Sequence, residues 1–350
     1  MNEPQKAALG LQETLKPSLS VVPNTHNAPQ NGHLRPRLTF DLGNRFLKWI
    51  DPNGEIQCIP SCIKECSKHE WKRVKQYPNS VLVEIDEKFF VIGELAQQLN
   101  GQPTFTKNKC ELAEILVLAA IQPLHRQSVH IERLIVSIPN TLNEEDVNAI
   151  QKLANYPLAR EFKRNGQYLV YTVAEVEIYD ETQPAFKYAR DQGFFLYPDT
   201  KNGIWDIGGG TSISRIYLPN GQPVFDAEII LPGTKSLAHL IAAELKEEFN
   251  LQYSPGLPAI MDSIARGDYL YGADKVDFSA IFQKVCEQWV ESARSEIRSK
   301  WVAHLHELGE VLIVGGSAGI AAPLCQASGD RFKIAPQPQL FNLIAMANME

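Results

Sequence analysis

The chain has 350 residues, a net charge of −7, 44% hydrophobic and 21% charged residues. That composition fits a globular protein long enough for two domains and excludes a generic basic nucleic-acid glove, so DNA contact would need an adaptor or a local basic patch. No apolar run reaches the roughly 18–20 residues that span a bilayer. The N-terminus, MNEPQKAALG, also lacks the charged start and apolar stretch of a secretory signal, so the expected location is the cytoplasm.

Residues 1–37 are rich in Gln, Asn, Pro and Ser and read as a disordered tail, either plainly solvated or a tether for a partner. Order is expected from Leu38. LTFDLGN and RFLKWI read as two strands, closed by the turn signal Asp51-Pro52-Asn53-Gly54. Residues 55–110 mix short strands (81–85, 89–92) with helical pieces and read as an inserted subdomain. A helix is expected over 112–124 and a buried strand over 134–138. Asn143 is a candidate cap for a helix whose first turn holds Glu144, Glu145 and Asp146, with Val147, Ile150, Leu153 and Ala154 as its apolar stripe. Residues 168–176 read as a strand and 183–190 as a helix. Strands are expected at 203–207, 213–218 and 223–230. Helices are expected at 235–249 and 278–308, then a buried strand at 311–314 and a closing helix at 340–346.

Cys58, Cys62 and Cys66 precede His69. Thiolates and imidazole suit zinc, but the spacing matches no common zinc module, so reduced thiols are the competing reading. Arg294, Arg298, Lys300, His304 and His306 give the 278–308 helix a basic side: a solvated face, a contact with another copy of the chain or a place for an acidic partner.

Two stretches resemble each other. LTFDLGNRFLKWIDPNGEI begins at Leu38 and GIWDIGGGTSISRIYLPNGQP at Gly203. Their Asp-x-Gly elements, Asp41 and Asp206, lie 165 residues apart, which suggests two related domains facing each other. Glycine permits a tight turn and close approach to a ligand. Successive N–H groups in such a turn form an anion site. A carboxylate beside phosphate makes sense when Mg²⁺ or its waters intervene. The two hairpins, Asp41-Gly43-Asn44 and Asp206-Gly208-Gly209-Gly210-Thr211, are therefore candidates to clamp a metal–polyphosphate, with Asp41 and Asp206 toward the metal. Lys48 is either a phosphate ligand or a surface lysine. Gly233-Thr234 opens a helix whose free N–H groups could meet a phosphate or ribose. A P-loop and a Rossmann fingerprint fail on context, because a strand and not a helix follows Thr211.

Together these motifs resemble the actin-like ATPase superfamily, which also holds the heat-shock 70 chaperones and sugar kinases. Within it they are most similar to the plasmid-segregating bacterial and archaeal actins of the ParM type. The first phosphate motif looks like Asp41-Leu-Gly-Asn-Arg-Phe-Leu-Lys48, the second like Asp206-Ile-Gly-Gly-Gly-Thr211, and the adenosine loop like Val311-Leu-Ile-Val-Gly315-Gly316-Ser317-Ala318. The resemblance implies an α/β actin-like fold with two ribonuclease-H-like domains around a nucleotide cleft. These would span 38–195 and 196–350, with a last helix at about 339–348 docking back on the first. It implies Mg²⁺ with ATP or GTP as cofactors, hydrolysis of the γ-phosphate, self-assembly into filaments, and a DNA-binding adaptor as partner. Asp206 would orient the metal's waters or the attacking water. Glu181, in Glu181-Thr-Gln-Pro-Ala, would position that water, or else it is a solvated first-turn carboxylate; Asp180 and Glu177 are neighbouring candidates. The family often has an acidic residue soon after the second glycine turn, where this chain has Ser212-Ile-Ser214-Arg215, and Ser317 replaces a third glycine. These departures keep a weakly hydrolysing nucleotide-binding scaffold open, beside a small-molecule kinase on the same fold.

Overall fold

The computed structural model describes residues 34–106, 108–123 and 127–349. The tail expected over 1–37 lies, up to residue 33, outside the described residues. The described chain divides into two compact units, residues 34–184 with 342–349 and residues 185–341.

The first unit is built on one ten-stranded sheet in the order β3-β2-β1-β8-β10-β9-β5-β6-β4-β7. Its strands are β1 (Leu34–Leu42), β2 (Phe46–Ile50), β3 (Ile56–Pro60), β4 (Cys62–Cys66), β5 (Ser80–Ile85), β6 (Lys88–Gly93), β7 (Gln102–Pro103), β8 (Ser128–Ile138), β9 (Arg160–Arg164) and β10 (Gln167–Asp180). Short helices α1 (Lys68–Trp71) and α2 (Glu94–Gln98) lie among the strands from β4 to β7, followed by α3 (Lys109–Leu116) and α4 (Glu144–Gln151). β1 starts at Leu34, before the expected Leu38, because residues 34–40 form a parallel ladder with β8 from Leu34↔His130 to Phe40↔Val136. The helix expected over 112–124 is shorter, since α3 ends at Leu116 and tightens into a 3₁₀ turn at Val117–Ala119. Asn143 caps α4 as expected: its side chain accepts from the N–H groups of Glu145 and Asp146. Leu38, Phe40, Leu47, Trp49, Leu134 and Val136 fill the core across the central strands.

Helix α5 (Thr182–Asp191) leads into the second unit. Its strands are β11 (Lys201–Ile207), β12 (Thr211–Tyr217), β13 (Ile229–Pro232), a small hairpin of β14 (Leu270–Tyr271) and β15 (Val276–Asp277), then β16 (Leu308–Val314) and β17 (Phe332–Ile334). Its helices are α6 (Thr234–Glu248), α7 (Leu257–Arg266), α8 (Ser279–Lys300) and α9 (Ala322–Ala327), before the closing α10 (Pro338–Ala347). The sheet order is β13-β12-β11-β16-β17. Both units thus carry the same series: an antiparallel edge pair, a central strand, then two parallel neighbours. This is the mixed α/β architecture expected of two related halves.

β12 is buried on both faces from Ser212 to Tyr217. Its polar residues are therefore satisfied inside the fold. Trp205 Nε1 donates to Ser212 Oγ at 2.8 Å, and Arg215 Nε donates to Glu228 Oε2 at 2.6 Å. The strand expected over 223–230 is instead a 3₁₀ turn (Phe225–Ala227) followed by β13. α8 ends at Lys300, so His304 and His306 lie in the turns beyond it and not on a helix face. There His304 Nε2 meets Asp226 Oδ1 at 3.1 Å.

The final helix reaches the core of the first unit. Leu343 and Met346 are fully buried with Ile135, and Arg37 donates to the Met349 carbonyl at 2.6 Å. Leu343→Ala leaves a cavity at a site with no exposure. It should destabilise the chain by about 3 kcal/mol, visible as a lower urea midpoint. Replacing the exposed neighbour Asn348 by Ala, which removes one solvent-side hydrogen bond to the Ile344 carbonyl, should shift that midpoint far less.

Candidate functional site

The first hairpin is β1-turn-β2. Asp41 and Lys48 face each other across the ladder, and Lys48 Nζ donates to Asp41 Oδ2 at 2.5 Å. Both are buried, so the surface-lysine reading of Lys48 is overturned. Register places it between Asp41 and Cys58, inside the sheet. The turn itself admits only glycine at Gly43: a Cβ there would sit 2.4 Å from the Phe46 carbonyl oxygen. The Asn44 carbonyl accepts from Thr104 Oγ1 at 3.2 Å, which fixes the tip.

The second hairpin repeats the device. Asp206 is buried at the end of β11, and a Cβ on Gly208 would lie 2.9 Å from the Thr211 carbonyl oxygen. Gly43 to Phe46 and Gly208 to Thr211 are the same spacing. Opposite Asp206, however, register places Ile213 where the first hairpin has Lys48. The glycine run is held by the start of α6. The N–H groups of Gly233, Thr234 and Lys235 donate to the carbonyls of Gly210, Gly208 and Gly209 at 3.0, 3.0 and 2.8 Å. The expectation of free N–H groups at Gly233-Thr234 is therefore corrected, because the helix start uses them to anchor the hairpin. The consequence favours an anion elsewhere. With these carbonyls turned to the helix, the Gly209 and Gly210 N–H groups have no acceptor among the described residues, the arrangement of an anion-binding nest.

The 315–317 loop closes on the same residues of the second unit. Gly315 has φ +96°, and a Cβ would come 2.2 Å from Asp206 Oδ1 and 2.6 Å from the Ile207 carbonyl oxygen. Ser317 N–H donates to that Ile207 carbonyl at 3.0 Å, and the Ser317 and Thr234 hydroxyls are 3.1 Å apart. Gly316 is exposed between them. Asp206, the glycine hairpin, Thr234 and Gly315–Ser317 thus converge on the C-terminal ends of β11 and β16.

In the first unit Glu181 directly follows β10, with its N–H donating to the Ile138 carbonyl at 2.9 Å. Its Oε1 accepts from Lys109 Nζ at 2.5 Å, and both side chains are largely buried. The competing reading of Glu181 as a solvated first-turn carboxylate is overturned by that pairing. Asp180 is engaged by Thr141, whose N–H and Oγ1 donate to it at 2.9 and 3.1 Å. Glu177 pairs with Arg133 at 3.2 Å. Lys109 was not foreseen. Its one sequence signal is a lysine just after a capping Asn, at a helix start where the dipole disfavours a cation.

The donor set fits a hard cation that keeps its own waters. It offers aspartate oxygens, and among the described residues no group of three His, Cys, Asp or Glu is placed to enclose a metal ion. Cys62 and Cys66 lie in an apolar cluster with Leu82, Val91 and Ala96, and His69 is exposed. Burial pushes the Cys62 thiol up to about 11 and those of Cys110 and Cys286 up to about 12.

Residues 39–183 match the family model for the N-terminal domain of actin-like proteins. The chain also aligns with solved structures over most of its length. The archaeal actin homologue Ta0583 matches with TM-score 0.72 at 13% identity, covering 90% of this chain and 98% of that one; it has also been solved with ADP. The apo pSK41 ParM protein matches with TM-score 0.63 at 19% identity, over 89% and 95%. A ParM from Clostridium botulinum, solved as a 15-stranded filament, matches with TM-score 0.68 at 14% identity, over 89% and 98%. No curated protein matches significantly by sequence. The chain has the actin-like fold.

Two outcomes follow from this geometry. Gly315→Ala places a side chain in the left-handed region and against Asp206, and should destabilise the chain by about 2 kcal/mol or more. Gly316→Ala, whose Cβ would approach only Gln339 Cγ at 3.8 Å, is the control, and thermal unfolding compares them. A raised thiol pKa means less thiolate at a given pH. At pH 8 the native protein should therefore leave Cys62, Cys110 and Cys286 unalkylated in mass spectrometry until denaturant is added.

Proposed function

We propose that the chain is a polymerising actin-like protein that binds a Mg²⁺–nucleoside triphosphate through its two hairpins and hydrolyses the γ-phosphate. The observation that carries this reading is the duplicated turn: a buried Asp at a central strand end, followed by a glycine that no other residue can replace. Gly43 and Asn44 would approach phosphate from one hairpin, and Gly208–Thr211 from the other, with the Gly209 and Gly210 N–H groups as donors. Gly315, Gly316 and Ser317 would meet the nucleoside. Lys48 adds positive charge toward phosphate while neutralising Asp41, and the Thr234 hydroxyl supports the loop from α6.

Asp41 and Asp206 would hold Mg²⁺ through its waters, and the ion when bound neutralises phosphate charge. Phosphoryl transfer needs chiefly positioning and charge stabilisation. Glu181 supplies a fixed carboxylate that can accept a hydrogen bond from a water, and Asp206 orients water at the other hairpin. Ser212 and Arg215, where the family often has an acidic residue, are used by Trp205 and Glu228. That observation supports a slower variant, a filament that binds nucleotide and turns it over weakly.

One archaeal relative was solved with ADP and one ParM relative as a filament. On this reading the present chain combines the two behaviours, with ATP or GTP as fuel, itself as principal partner and a DNA-binding adaptor for cargo. Its task would be plasmid segregation or a derived cytoskeletal role in the cytoplasm. No helix among the described residues is long and apolar enough to cross a membrane.

The test is electron microscopy with light scattering and phosphate release, with Mg²⁺ and each nucleotide. Filaments that form with ATP or GTP and are absent with Asp206→Ala are expected, with turnover reduced about 100-fold or more in that variant. Absence of polymer with either nucleotide would overturn the filament reading. Phosphate transfer to a sugar acceptor would replace it with the kinase.

A further inference from the structure

Lys109 stands where a stabilising lysine would not be placed. It is the first residue of α3, where the helix dipole opposes a cation, and it is buried, where an ammonium loses its hydration. Among the described residues its ion-pair partner is Glu181 Oε1, at 2.5 Å. Burial pulls the ammonium down, but Glu181 beside it and Asp41 beyond hold it above its ordinary range.

Both ends of the pair are fixed by backbone. Asn108 caps α3, its side-chain oxygen accepting from Cys110 N–H at 3.0 Å. Its amide also donates to Asp146 Oδ1 at 2.8 Å, tying the start of α3 to the first turn of α4. Glu181 is held at the end of β10 by its N–H bond to Ile138. One carboxylate oxygen is thus anchored, and Oε2 takes no hydrogen bond among the described residues. Local rules of helix charge and burial are broken here without gain to the helix, which is the pattern of a functional position.

We propose that Lys109 is a positioning residue for Glu181: by holding Oε1 it fixes the carboxylate so that Oε2 is the oxygen that orients the attacking water. This rests on the hydrolytic reading above. Lys109 acts through Glu181 and has no part in holding nucleotide.

The test compares Lys109→Met, Lys109→Arg, Glu181→Gln and the Lys109→Met/Glu181→Gln double variant. Phosphate release at saturating nucleotide gives turnover, and a fluorescent nucleoside diphosphate gives affinity. Lys109→Met should lose about 100-fold in turnover with affinity within about twofold of wild type. Lys109→Arg, which keeps the cation and should fold where Met does not, should recover turnover to within about tenfold. The double variant should be no slower than Glu181→Gln alone, because the lysine has nothing left to position. Unchanged turnover in Lys109→Met, an additive loss in the double variant, or weakened nucleotide binding each overturns the proposal. If the wild-type chain releases no phosphate with any nucleotide, the hydrolytic reading falls and takes this inference with it. Wild-type release with an indifferent Lys109 overturns this inference alone.

Discussion

A carboxylate buried at the end of a central strand, beside a turn that only glycine can make, is the constraint on which the rest of the structure depends. Burying a charge is unfavourable unless it is paired or hydrogen-bonded. Asp41 meets that demand with Lys48, directly opposite in the ladder. Asp206 has Ile213 at the equivalent place in its ladder. Its surroundings are instead shaped by Gly315, whose missing side chain leaves room for the carboxylate. The two hairpins therefore share a backbone and differ in the residue opposite the aspartate, Lys48 in the first and Ile213 in the second.

The sheets exist, in this view, to deliver those strand ends. Each unit sets its central strand between an antiparallel hairpin partner and a parallel neighbour, so the Asp emerges where strand gives way to turn. The helices then lock the turns. The N–H groups of Gly233, Thr234 and Lys235, at the start of α6, go to the carbonyls of the glycine run, and the 315–317 loop seals the ends of β11 and β16. A helix start, whose N–H groups suit an anion, is engaged here in holding the hairpin backbone.

Much of this was legible in the sequence, and the failures have physical causes. Asp41-x-Gly43 and Asp206-x-Gly208 were readable because glycine, aspartate and flanking apolar strands are local signals. Matching sheet orders followed from the same repeat. α7 was missed because Tyr253-Ser-Pro-Gly-Leu-Pro258 reads as a turn, although Pro258 sits in the first helical turn, where proline is tolerated. The Lys109–Glu181 pair joins residues 72 apart, and no local pattern announces such a contact. The fate of the Gly233–Lys235 N–H groups was hidden for the same reason: their acceptors lie more than twenty residues upstream in the chain.

On the reading proposed above, the two strand-end aspartates bind nucleotide through a magnesium ion. Calorimetric titration of ADP with and without Mg²⁺, into the wild-type chain and into Asp41→Asn and Asp206→Asn, tests it most directly. The account predicts tighter binding with Mg²⁺ in the wild type, and loss of that magnesium dependence in both variants. Affinity indifferent to Mg²⁺, or a magnesium dependence that survives both substitutions, would contradict it.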